Sequence, residues 1–130
     1  DAHKLNVLGA DSSTAWDALV AEANKAAPAV KINAGGDGYG PSDHSSFYAA
    51  GVPVVHFFTG AHEQYHSPED DVALLNFAGG ADVTRITAAL AEGVRRGPRP
   101  DYGRTSAESP PSCAHAGRSE ARLVAEEVYG

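Results

Sequence analysis

Two short stretches of this chain concentrate side chains that can do chemistry. The first, His62-Glu63-Gln64-Tyr65-His66-Ser67-Pro68-Glu69-Asp70-Asp71, mixes imidazoles with carboxylates. A neutral imidazole is a good zinc ligand, and its second ring nitrogen usually needs a carboxylate or carbonyl partner. Glu69, Asp70 and Asp71 are near enough in sequence to supply one. Tyr65, beside His66, has a hydroxyl that can donate to a developing oxyanion. The same string also fits an acidic surface loop with incidental histidines.

The second stretch is Ser42-Asp43-His44-Ser45-Ser46-Phe47, directly after the glycine-rich segment Gly35 to Pro41. Adjacent Asp43 and His44 can orient or ligate a metal. A serine beside a histidine raises the question of a nucleophile, but no Gly-x-Ser-x-Gly elbow is present. The plainer alternative is that Ser42 caps a helix while Asp43 favours its N-terminus. His56 sits inside an apolar run, where a histidine is more often a core residue than a ligand. His3 and His115 have no such context and are expected at the surface.

The elements that must position these residues follow from periodicity. Leu5 to Leu8 reads as a short buried strand closed by Gly9. Asp11, Ser12 and Ser13 offer N-cap side chains for a helix whose inner face is Trp16, Leu19, Val20 and Ala23. Pro28 ends it, and Val30 to Ile32 is a second strand. A short helix is expected from Asp43 to Ala50 with Phe47 inward. Val52 to Phe58 is a near-continuous apolar run, as in a strand covered on both faces. A last helix is expected from Ala81 to Arg95, with Val83, Ile86, Leu90 and Val94 inward. Alternating strands and helices predict an α/β layered domain. Three strands are few beside the usual ~5–6, so the sheet is expected to be incomplete in this chain.

The domain is assigned to residues 1–97 and a Pro/Ser/Arg-rich linker or disordered tail to residues 98–130, with a short helix conceivable from Ser119 to Val128. With 130 residues and 42% hydrophobic content the chain suits one small domain. A net charge of −7 argues against nucleic acid or an anionic membrane as main partner. No stretch is apolar enough for a membrane segment. Cys113 is the only cysteine, so an internal disulfide is excluded.

Taken in order, Asp43-His44-x-x-Phe47, Gly51-Val52-Pro53 and Phe57-Phe58-Thr59-Gly60-x-His62-x-x-Tyr65-His66-x-Pro68-x-Asp70 resemble the family-28 zinc metallopeptidases, over Leu5 to Arg96. That family includes bacterial aminopeptidases, and glutaminyl cyclases share its scaffold. The resemblance implies part of an α/β/α sandwich around a mixed, mainly parallel sheet, with two zinc ions in a cleft at the strand ends. It implies that His66 is a metal ligand and Tyr65 a catalytic residue stabilising the tetrahedral intermediate. Asp43 and His44 match a segment that shapes the cleft, joined there by His56. Asp70 matches a helix-starting or outer-shell aspartate. The implied substrate is a peptide with a free N-terminus, and bacterial members are often secreted, periplasmic or membrane-associated.

The glutamate pair and the early histidine and aspartate ligands of that family have no counterpart in these residues. One imidazole cannot hold a catalytic zinc, which needs about three protein ligands. The expectation is therefore zinc-dependent exopeptidase chemistry of the aminopeptidase type, completed by an N-terminal half of the domain that is missing here, with the 130 residues inactive alone. The alternatives are a glutaminyl cyclase-like enzyme, or a non-catalytic remnant that acts as a binding module.

Overall fold

A computed structural model describes residues 3–103. The strands are β1 (Lys4–Leu8), β2 (Lys31–Gly35) and β3 (His56–Phe58), and the helices are α1 (Trp16–Asn24), α2 (His44–Ala49) and α3 (Phe77–Arg96). They form one sheet of order β2-β1-β3, in which β1 and β2 are parallel and β1 and β3 antiparallel. This is a small mixed sheet with helices, an incomplete α/β fold as expected.

Alternation along β1 decides where the core lies. Leu5 and Val7 are buried and pack with Trp16, Val20 and Ala23 of α1 and Ile86 and Leu90 of α3. Both helices therefore cover the same face of the sheet. Asn6 points to the other face, where its side-chain oxygen accepts from Asn33 at 3.3 Å in an exposed setting. Only one face of the sheet is thus layered with long helices among the described residues. By the pairing of His56 with Leu8 and of Phe58 with Asn6, the rings of His56 and Phe58 belong to this second face. Phe57 belongs to the core face and packs against the apolar cluster.

Five local expectations need correction. The run from Val52 to Phe58 is a strand only from His56 onward. Ser12, fully buried, explains why: its Oγ donates to the Val54 carbonyl at 2.8 Å and accepts from the Val54 N–H at 2.9 Å. Val54 thus spends both backbone groups on a side chain and has none left for a neighbouring strand. Trp16 Nε1 donates to the same oxygen at 3.0 Å, tying α1 to this junction. Ser12 and Asp11 accordingly lie in a 3-10 turn, Ala10–Ser12, and do not cap α1. Gly9 starts that turn at φ 82, where a Cβ would meet the Val54 carbonyl oxygen at 2.8 Å.

On α2, Phe47 is 59% exposed and Tyr48 is the inward ring, 1% exposed. The Tyr48 ring covers Gly38, where a Cβ would lie 2.2 Å from it, and it meets Tyr39 edge-on at 4.9 Å. Neither Ser42 nor Asp43 makes a side-chain cap to α2. Helix α3 starts at Phe77, four residues ahead of the expected Ala81, and takes in Gly79 and Gly80. Its N-cap, Asn76, accepts from the Gly79 N–H at 3.0 Å and offsets the weak propensity there.

Beyond α3 the chain folds back over the domain. Asp101 accepts from Ser13 Oγ at 2.7 Å and from Thr14, and Tyr102 donates to the Tyr48 carbonyl at 2.9 Å. Cys113, His115 and the conceivable helix from Ser119 to Val128 lie outside the described residues.

Candidate active site

Strand β3 feeds the histidine-rich loop, and its alternation aims His56 and Phe58 at one side. There the His44 ring, carried by α2, stacks on His56 with centroids 4.6 Å apart and planes 12° from parallel. Phe58 follows His56 at 6.2 Å, Tyr65 meets Phe58 at 6.0 Å, and His66 lies 4.0 Å from Tyr65. A continuous row of rings therefore links two segments that are far apart in sequence. Of the residues singled out from sequence, His44, His56, Tyr65 and His66 share this row. Asp43 is exposed at the start of α2 and touches it only through His44.

Tight turns build the loop after β3. The Tyr65 N–H donates to the His62 carbonyl at 2.9 Å, Ser67 to Gln64 at 3.0 Å and Asp70 to Ser67 at 3.1 Å. His66 has φ 61, the one left-handed non-glycine residue among those described. Such a conformation is uncommon for a non-glycine residue, though histidine takes it more readily than most. Tyr65 and His66 are both exposed. Asp70 does not turn to His66: its Oδ1 lies 3.1 Å from His62 Nε2. Asp71, one residue later, caps the 3-10 turn Val72–Leu74 by accepting from the Val72 N–H. Beside the His62–Asp70 pair opens a cavity of about 600 Å³, with Leu5, Val30, Thr59 and Val83 in its walls.

His62 was the residue sequence reasoning undervalued. Its partner Asp70 stands eight positions later, past Ser67 and Pro68, with Glu63 and Glu69 nearer in sequence. Nothing in the spacing ranked it above Glu69 or Asp71 as partners of His66.

His44 is 8% exposed, and neither ring nitrogen finds a hydrogen-bond partner. Burial, together with the adjacent His56, holds its pKa below the ordinary 6.5, against a smaller opposing pull from Asp43. The unfolded chain then takes up this proton first as the pH falls. Stability from His44 is full above about pH 6.5 and is lost as pH drops through 6.5 towards the lower folded value. Urea unfolding at pH 7.5 and 5.5 should show a lower midpoint at the acidic pH, and His44→Phe should shrink that difference. An equal difference in the variant would remove His44 as its source.

Among the described residues, no group of three or more His, Cys, Asp or Glu is arranged to hold a metal ion. No helix among them is long and apolar enough to cross a membrane. A family model described as peptidase family M28 matches residues 2–91 and so takes in β1 through most of α3. The chain matches no curated protein and no solved structure.

Proposed function

Because the chain belongs to peptidase family M28, a family of peptide-bond hydrolases, we propose that it is part of a zinc-dependent exopeptidase of the aminopeptidase type. In this reading His66 is one metal ligand and Tyr65 the catalytic hydroxyl. The observation that carries it is the His66 backbone, held at φ 61 with its ring 4.0 Å from that of Tyr65. The exposure of both rings and their closeness support assigning a ligand imidazole and an oxyanion donor to this pair. The exposed His66 ring fits a metal as far as one donor can. The remaining ligands, about two more for each ion, belong in this reading to residues beyond the described ones.

When bound, zinc supplies a water of pKa near ~7 and polarises the scissile carbonyl. The chain's own part is simpler. His66 gives a neutral nitrogen to the metal. Tyr65 donates its hydroxyl proton in a hydrogen bond to the carbonyl oxygen as that oxygen becomes negative. His44 and His56 wall the cleft from the side of α2, and Asp70 acts one step removed, through His62. The substrate is a peptide whose free N-terminus is held by groups outside this chain.

Tyr65→Phe tests the catalytic assignment in a longer chain that supplies the other ligands. Metal content should stay unchanged while kcat falls by about 10²-fold, as for loss of one oxyanion donor. Unchanged kcat on an amino-acid anilide would take Tyr65 out of the mechanism.

The lack of a metal-holding cluster among the described residues favours one other reading, a non-catalytic remnant that binds partners. It predicts no hydrolysis even when the rest of the domain is supplied.

A further inference from the structure

Resting on that reading, we propose that His62 and Asp70 form a clasp that positions Tyr65 and His66. Their side chains close the base of the loop at 3.1 Å, the only side-chain bond across it among the described residues. A carboxylate oxygen can only accept, so His62 Nε2 carries the proton and donates it to Asp70 Oδ1. The four residues whose geometry matters most, Gln64 to Ser67, lie between the two ends.

Three observations make this more than a surface ion pair. The backbone bonds inside the loop are single turns, from Tyr65 to His62, Ser67 to Gln64 and Asp70 to Ser67, and none spans it from end to end. His66 sits at φ 61, an uncommon backbone state for a non-glycine residue, inside the stretch that the pair closes. The His62 ring also meets Tyr65 edge-on, with centroids 5.9 Å apart, so the group that holds the loop touches the side chain it positions. The pair is half-exposed, at 46% and 33% for the two side chains, which keeps its strength modest. It therefore sets loop geometry and leaves the fold to the core.

The test uses the 130-residue chain without metal or substrate, so it stays valid if the peptidase reading fails. Amide exchange is followed at Tyr65, Ser67 and Asp70, and the His66 ring proton shifts report the overlying Tyr65 ring. Asp70→Ala should raise exchange at these amides by about threefold and move the His66 ring shifts towards random-coil values. His62→Ala should do the same, and the double variant should add nothing further. His62→Gln and Asp70→Asn keep a donor and an acceptor in place and should restore both signals. The Ile86 methyl resonance, deep in the core, reports that each variant is folded. Unchanged exchange and His66 shifts in Asp70→Ala, or additive single effects, would overturn the clasp. A changed loop with unchanged kcat in a complete enzyme would leave the clasp standing and remove the catalytic reading of Tyr65 and His66.

Discussion

Replacing His66 by alanine, in a longer chain that supplies the remaining ligands, is expected to remove most of one metal equivalent and most activity. Substitution of outer-shell partners of a metal already costs ~10–100-fold in affinity or activity, so loss of a direct ligand should cost more. The effect should be specific to the ring. His66→Ala removes the exposed imidazole at the end of the ring row, 4.0 Å from the Tyr65 ring. Removing the imidazole of His44, which is buried and stacked on His56, should leave metal content alone and act on stability. Zinc measured by elemental analysis after dialysis separates the two. Full zinc content in His66→Ala would place the ligand elsewhere.

Ser12→Ala is expected to be the most damaging single-atom deletion for the fold. Its Oγ donates one hydrogen bond and accepts two, all buried, and so joins Val54 ahead of β3 to Trp16 of α1. Alanine would strand the Val54 carbonyl, the Val54 N–H and the Trp16 Nε1–H together. A buried group left unsatisfied costs about 1–3 kcal/mol, and partial rescue by water keeps the sum near ~2–4 kcal/mol. That is a large part of the ~5–15 kcal/mol that holds a typical domain. Because Val54 leads into β3, the loss should also loosen His56 against His44. Urea unfolding of Ser12→Ala beside Ser46→Ala, an exposed serine on α2, measures the difference. A loss below ~1 kcal/mol in Ser12→Ala would mean the hub is not holding the junction.

Much of this was legible in the sequence, and what was not has a physical cause. Period alone placed α1 and α3 and their inner faces, because Trp16, Val20, Ile86 and Leu90 bury against a single sheet face. Period could not tell that Val54 would be claimed by Ser12, since that contact joins residues 42 apart. It also could not choose between Phe47 and Tyr48, adjacent rings on a short helix. The choice was made by Gly38, which leaves room for one ring, and by Tyr102, which binds the Tyr48 carbonyl. For the site, the family motif brought Tyr65, His66 and His44 into view together, while His56 stood out only as a histidine in an apolar run. The row of rings through Phe58 is what makes them neighbours, a role that neither the motif nor the strand pattern gave to Phe58. The His62–Asp70 contact depended on turn geometry that no spacing rule encodes.

The central claim is that this chain carries one ligand of a zinc site that other residues complete. The most direct measurement is zinc content of the purified 130-residue chain after dialysis against zinc-containing and then zinc-free buffer. The account predicts far less than one equivalent, because a single imidazole does not hold zinc through dialysis. A stoichiometric, tightly held ion would contradict it and would require further ligands within this chain.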